Sequence, residues 1–144
     1  MSVRPLARIL VPLAGSDLDD TVLGRVEELA CLSGAQVILL RVVHCHLRDM
    51  RPVETERAWA ILGAVRTRLL RAGVPVRSVT GYGEIAQVIV EKAAEYDVDV
   101  IAMGTSGHGA WRRVLEASVP DSVRHQSRVP VLLIRKGSGT AAAA

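Results

Sequence analysis

Short apolar runs alternate along this chain with longer stretches in which apolar residues recur at helical spacing. Four of the runs, at residues 9–13, 36–43, 98–103 and 129–134, are mostly aliphatic. Strands buried on both faces of a parallel sheet have this character, because helices cover both sides of such a sheet. A further strand is predicted at residues 74–80, which brings the expected strands to five.

The first and the fourth helices are predicted from residues that start or stop a helix and from the segments before them. The first begins at Leu18 and stops at Gly34, with Ser16 and Asp19 spaced as a capping box. The fourth is predicted at residues 118–126, after an irregular segment at residues 104–117.

The two middle helices are predicted from the spacing of their apolar residues. A polar connection at residues 44–53 precedes the second helix, which closes near Gly73, and a Gly-Tyr-Gly turn at residues 81–83 precedes the third. Their apolar positions are Ala58, Ile61, Leu62, Val65 and Leu69 in the second helix, and Ile85, Val88, Ile89 and Ala93 in the third. Each set forms one face of an amphipathic helix.

The alternation of strands and helices predicts the fold class. It is typical of a parallel sheet with right-handed crossovers and helices on both faces. We therefore expect a Rossmann-like, doubly wound, five-stranded α/β domain. A single domain is expected over residues 1–136, and the low-complexity residues 137–144 are expected to form a flexible tail.

Composition narrows the classes of function. The 144 residues are 49% hydrophobic and 23% charged, as in a globular protein, and the net charge of +3 is scattered along the chain. With two Trp, two Tyr and no Phe, the chain lacks stacking platforms for nucleic acid, which we do not expect as a partner. No apolar run approaches the roughly 18 residues that span a bilayer, so no membrane association is expected. Cys31 and Cys45 are too few for a disulfide framework, which favours the cytoplasm.

Ligands of doubly wound sheets bind beyond the carboxyl ends of the strands, so the loops after strands one and four are the candidate site. The first loop, residues 12–16, has neither the GxGxxG of a dinucleotide site nor a P-loop, and we expect no flavin or NAD. The second contains Gly104, Gly107 and Gly109 and leads to a helix starting near Ser118. Close backbone approach and a helix N-terminus suit a phosphate group. Alternatively, the glycines only turn the chain and Ser118 only caps the helix.

Several separate segments share a known pattern. They are Ile-Leu-Val-Pro at residues 9–12 with the following Gly-Ser, the glycine before the third helix, residues 100–107, and Ala-Ser-Val at residues 117–119. Together they resemble the universal stress protein family over residues 8–135. The most specific element is the family's nucleotide motif of Gly, two residues, Gly, nine residues, Gly, and Ser or Thr. Gly104, Gly107 and Ser118 match that motif here.

The resemblance implies a fold, a ligand and a partner. It implies the strand order 3-2-1-4-5, ATP or AMP as ligand, with Mg²⁺ accompanying ATP, and a homodimer formed through the last strand, residues 129–134. The implied nucleotide-binding residues are Pro12, Leu13, Val42 and Met103 around adenine, Gly104 by the ribose, and Gly107, His108, Ala117, Ser118 and Val119 around the phosphates. The implied function is an adenine-nucleotide-binding regulatory module of the stress response.

Three departures from the family pattern leave an alternative open. The usual Asp after strand one is Ala14, the third glycine of the motif is Ala117, and Pro120 removes an N–H from the first turn of the last helix. The alternative is a family member that has lost nucleotide binding and acts as a dimeric protein-interaction module.

Other chemistry is weakly supported by the sequence. His44 and His46 flank Cys45 on one predicted loop, but no further ligand cluster accompanies them and we predict no metal site. No set of residues suited to acid–base or nucleophilic catalysis can be placed, so no catalytic residue is assigned. Enzymatic activity would amount at most to weak ATP hydrolysis.

Overall fold

The computed structural model describes residues 5–13, 18–43, 52–105 and 119–135. These residues form nine elements in strict alternation. In chain order they are β1 (Arg8–Pro12), α1 (Leu18–Ser33), β2 (Gln36–Val43), α2 (Pro52–Arg71), β3 (Val76–Tyr82), α3 (Ile85–Glu95), β4 (Val100–Thr105), α4 (Val119–Gln126) and β5 (Val131–Arg135).

The five strands form one parallel sheet in the order β3-β2-β1-β4-β5. Strand order reverses beside β1, the first strand in the chain, which lies at the centre. The Rossmann-like fold class and the strand order predicted from the sequence are both confirmed. The carboxyl ends of all strands meet at one edge of the sheet, and we call this the carboxyl edge.

Side chains alternate between the two faces of the sheet and build a core on each. One core packs α1 and α2 on the sheet and the other packs α3 and α4. The first contains Ile9, Val11, Leu13, Val22, Leu23, Val26, Ala30, Ala35, Val37, Leu39, Leu62, Leu69, Val74, Ala102 and Ile134. The second contains Leu10, Ile38, Leu40, Val42, Val79, Ile85, Ala86, Val88, Ile89, Ala93, Val98, Ile101, Met103, Val119 and Val123. Aliphatic residues thus fill both cores.

Three strands extend further at the carboxyl edge than the sequence predicted, and the third of them, β5, does so only by Arg135. The predicted turn at residues 81–83 was wrong for its first two residues, because Gly81 and Tyr82 belong to β3 and pair with the end of β2. The predicted irregular segment at residues 104–117 was wrong at Gly104 and Thr105, which belong to β4. Pairing with Ile134 and Arg135 of β5 keeps both residues in the sheet.

Three strands begin later than predicted, because turns occupy the residues before them. Before β3, the amide of Val74 donates to Leu69 O at 3.0 Å, which completes the end of α2. Before β4, Asp97 has a positive φ of 49°, and the amide of Val98 donates back to Ala93 O. Before β5, the Ser127 hydroxyl accepts from the Val129 amide at 3.1 Å. Local hydrogen bonds therefore override the apolar pattern at these three strand starts.

The helix ends agree more closely with the prediction. The amide of Gly34, whose φ is 74°, donates to Ala30 O at 2.8 Å, and Gly73 with φ 82° follows α2. A left-handed backbone at both positions explains why glycine ends these helices. Helix α2 begins at Pro52, inside the predicted connection, and proline is favoured in a first helical turn. The predicted capping box, the tail and the His44–His46 segment lie outside the described residues.

Within the described ranges, no helix has the length and apolar character needed to cross a membrane.

Candidate functional site

The central strand β1 stops short of its neighbours at the carboxyl edge. Its pairing with β4 ends at Leu10 and Ile101, whereas its pairing with β2 continues to Pro12 and Leu40. Main-chain groups alternate in direction along a strand, so position 12 is where β1 would next donate an N–H to β4. Proline has no N–H, which explains why the ladder ends there. Within the described ranges, β2 and β4 therefore continue beyond the end of β1 without pairing to it, and we call the space between them the notch.

Main-chain polar groups of β2 and β4 face this notch. Leu40 directs its carbonyl at the β1 side, where the Leu13 amide donates to it at 2.8 Å. Two residues on, Val42 directs its own N–H and C=O to the same side, beyond the end of β1. On β4, the amide of Ile101 donates to Pro130 O on the β5 side, so the alternation turns Gly104 toward the notch. Peptide groups from two strands thus border the opening.

The apolar side chains beside the notch lie on the face covered by α3 and α4. Val42 and Met103 are 6% and 0% exposed and belong to the core of that face. Val119, the first residue of α4, packs in the same core. Pro12 is buried and, by alternation along β1, faces the side of Leu10 in that core. The structure therefore brings Pro12, Val42, Met103 and Val119 together on one side of the sheet.

Leu13 does not join this group through its side chain. That side chain is 1% exposed and packs in the opposite core, against α1 and α2. Its main chain stays at the carboxyl edge, where the amide donates to Leu40 O and the carbonyl accepts from Arg41 Nη1 at 2.9 Å. Only the backbone of Leu13 therefore borders the notch.

Helix α3 lies unusually close to the carboxyl end of β3. A Cβ atom added to Gly81 would collide with Val88 Cγ1 and lie 3.7 Å from Leu40 Cδ1. Gly81 pairs with Val42 in the sheet, so the contact between Gly81 and Val88 lies beside the notch, on the face of the sheet that carries the Val42 side chain. A glycine is required here by space rather than by its φ angle.

The remaining predicted site residues, Gly107, His108, Ala117 and Ser118, lie outside the described residues, as does Ala14. In contrast, Arg41 is a residue that the sequence reasoning did not single out. It is the one charged residue of β2, which is otherwise aliphatic from Val37 onward, and a lone charge in a buried strand was the signal available. In the described part of the chain, no group of three or more His, Cys, Asp or Glu side chains could hold a metal ion.

The sequence as a whole matches a known family. The profile of the Universal stress protein family aligns with residues 6–135, which include all nine elements. The chain belongs to the Universal stress protein family. The resemblance noted in the sequence is thereby confirmed.

Relatives within the Universal stress protein family cover nearly the whole chain. A universal stress protein of Methanothermobacter thermautotrophicus is 32% identical over 139 residues, which are 89% of this chain and 94% of that protein. Among solved structures, the protein MJ0577 of Methanocaldococcus jannaschii is 27% identical with a TM-score of 0.76, covering 92% of this chain and 98% of that one.

A second solved structure shows the shared fold. The universal stress protein from Archaeoglobus fulgidus in complex with dAMP has a TM-score of 0.73 and 23% identity, covering 89% of this chain and 97% of that one. At this identity the likeness establishes the common architecture.

Proposed function

We propose that this universal stress protein binds an adenine nucleotide, ATP or AMP, at the notch and acts as a nucleotide-responsive regulatory module. The observation that carries the proposal is the notch itself, where peptide groups of Val42 and Gly104 face an opening beside buried apolar side chains. An adenine ring needs both features, because its edge carries hydrogen-bond donors and acceptors and its faces are apolar.

The phosphate end of the ligand is proposed from the sequence. Gly104, Gly107 and Ser118 have the spacing of the family's nucleotide motif, and Ser118 directly precedes α4. The N-terminus of that helix favours negative charge. With ATP, the phosphate oxygens would supply ligands to Mg²⁺, as is usual for this ion.

The related structure gives the proposal a precedent in the fold. The Archaeoglobus fulgidus protein is in complex with dAMP, an adenine nucleotide. The proposal for this chain depends on its own notch and motif. It also includes a cytoplasmic location, which the exposed thiol of Cys31 favours.

Calorimetric titration of the purified protein with ATP, AMP and GTP tests the proposal. We expect saturable heat with both adenine nucleotides and a weaker response with GTP, whose exocyclic groups present a different pattern. Gly107→Val should weaken ATP binding, whereas Gly63→Val, a matched change at an exposed glycine of α2 where a Cβ meets no atom within 4 Å, should leave it unchanged. Absence of heat with ATP and AMP at millimolar concentration would overturn the proposal.

The competing function is a dimeric interaction module without a nucleotide, and the residues that favour it are Ala14, Ala117 and Pro120. Pro120 is buried in the first turn of α4, where it lacks the N–H that another residue would offer to a phosphate. Mass spectrometry of small molecules released from the denatured protein separates the two functions. Adenine nucleotide in a stoichiometric amount would refute the module without a ligand.

Either function includes a homodimer formed through β5. This strand is an outermost strand of the sheet, next to β4 alone, and its residue Leu132 is 38% exposed. An edge strand with exposed apolar side chains is a ready surface for pairing. Sedimentation velocity should show a dimer that Leu132→Asp weakens, whereas Leu32→Asp on α1, where the leucine is 88% exposed, should leave it intact. A monomer in the unaltered protein would contradict this part of the proposal.

A further inference from the structure

Arg41 connects two strands at the carboxyl edge. It lies on β2 next to Val42, and its side chain faces the side of the sheet opposite to that of Val42. From there Arg41 Nη1 donates a hydrogen bond of 2.9 Å to the carbonyl oxygen of Leu13, in a partly buried setting. The bond therefore ties β2 to the residue that follows β1.

Leu13 is the point at which the chain leaves the sheet for the first loop of the candidate site. Its amide donates to Leu40 O at 2.8 Å and its carbonyl accepts from Arg41, so both bonds lead to β2. The preceding residue, Pro12, has no N–H to offer on the β4 side. The end of β1 is thus tied to β2, and Arg41 provides one of the two bonds that do so.

The chemistry of arginine suits this task. A guanidinium group is planar and rigid, stays charged at any physiological pH, and keeps its donors in a fixed fork. A hydrogen bond from a charged donor is stronger than one between neutral groups, particularly where water is partly excluded. The bond orders the Leu13 peptide before any ligand arrives, and such preorganisation reduces the entropy that a ligand must offset.

We infer that Arg41 is a positioning residue for the adenine end of the site, which it serves by fixing the Leu13 carbonyl and hence the end of β1. This inference rests on the proposed nucleotide-binding function. Arg41 acts through the main chain, so its effect is independent of the ligand's charge.

Titrations of Arg41→Met with ATP and with adenosine, followed by NMR so that millimolar affinities are measured, test the inference. We expect the affinity for both ligands to fall by the same factor, about tenfold, as for a lost charge-assisted hydrogen bond. Adenosine carries no phosphate, so a loss confined to ATP would mean that the guanidinium contacts phosphate directly. That result would overturn the inference.

Arg8→Met is the matched control. Arg8 Nη1 also donates to a backbone carbonyl, that of Tyr96 at 3.3 Å, but at the opposite edge of the sheet. We expect Arg8→Met to change the thermal midpoint comparably and the two affinities by less than about twofold. Equal losses of affinity in the two variants would indicate general destabilisation and overturn the inference.

Arg41→Lys keeps the test decisive if Arg41→Met folds poorly. Lysine retains one charged donor on a flexible stem, so it should recover part of the lost affinity for both ligands. If the unaltered protein binds neither ATP nor adenosine, the proposed function fails and this inference with it. If the unaltered protein binds both and the Arg41 variants bind equally well, only the inference about Arg41 fails.

Discussion

The starts and the carboxyl ends of the strands differ in the contacts that hold neighbouring segments together. At the edge where the strands begin, the Asp99 carboxylate accepts from the amides of Ala7 and Arg8 at 2.8 and 3.0 Å, and the Asp99 amide donates to Arg8 O at 2.9 Å. The Arg77 guanidinium also lies over the ring of Tyr96, 5.0 Å from its centroid. Each of these contacts joins segments distant in sequence.

At the carboxyl edge, the bonds of the described residues tie the end of the central strand to β2. Leu13 is tied to β2, while the ladder to β4 has already ended at Leu10. Among the described residues, the strand starts carry side-chain cross-links between distant segments, whereas the strand ends direct main-chain groups of Val42 and Gly104 toward the notch. Changes at the first edge should therefore affect stability, and changes at the second should affect binding.

The largest effect is expected at Asp99. Asp99→Ala removes the acceptor of two amides, and we expect a loss of about 2 kcal/mol in the free energy of unfolding, discounted because the bonds are solvent-accessible. Urea unfolding measures this loss, and affinity for ATP should stay within about twofold under native conditions.

Asp97→Asn is the control for Asp99→Ala. It removes a charge two residues away, where the ion pair to Arg8 is exposed and 3.9 Å long, and Asn tolerates the left-handed backbone. A change below about 0.5 kcal/mol is expected. If both variants lose the same stability, the Asp99 bonds are not what fixes this edge.

A substitution at Gly81 tests whether the packing of α3 against β3 is tight at the carboxyl edge. Gly81→Ala places a methyl group against Val88, and we expect a loss of about 2 kcal/mol from overpacking. Because Gly81 pairs with Val42, binding of ATP should weaken as well. The double variant with Val88→Ala should lose less than the sum of the two single changes. Additive losses in urea unfolding would show that the two side chains do not meet.

Pro12 tests the origin of the notch. Pro12→Ala restores an N–H directed at β4, so pairing of β1 with β4 should extend and close the opening. We expect about fivefold weaker ATP binding, near 1 kcal/mol, with stability changed by less than that because a gained hydrogen bond offsets lost rigidity. Hydrogen exchange reports on the new amide at position 12. Protection of that amide without any loss of affinity would contradict the role given to the notch.

The smallest effect is expected near the middle of α2, between the two edges. Gly63 is exposed and a Cβ there would have no atom within 4 Å, so Gly63→Ala should raise stability by about 0.5–1 kcal/mol. Urea unfolding measures the gain, and binding of ATP should not change. A loss of stability would contradict the open space found around a Cβ at this position.

The fold was predictable because periodic apolar residues specify both strands and helices. The run at residues 36–43 forms β2 with the predicted bounds, and the four apolar positions predicted for α3, Ile85, Val88, Ile89 and Ala93, are buried. The strand starts were less predictable, since the turn at Ser127 and the positive φ of Asp97 depend on local hydrogen bonds that an apolar pattern does not record.

The candidate site was predictable in location and less so in detail. The fold class places the site at the carboxyl ends of β1 and β4, and the glycine spacing, with the other matching segments, indicated the family. Two features could not be derived in that way. The side chain of Leu13 turns to the α1 side because of its register, and the bond from Arg41 to Leu13 joins residues 28 positions apart. Both depend on which face each residue occupies, and a linear pattern does not specify contacts between strands.

The notch depends on the identity of residue 12 in an unusual way. The opening is encoded by a missing hydrogen atom on the main chain rather than by the chemistry of a side chain. Any codon change that replaces this proline restores the donor, whichever amino acid results. Proline is therefore the one amino acid that leaves position 12 without a main-chain donor, and all other residues are equivalent in this respect.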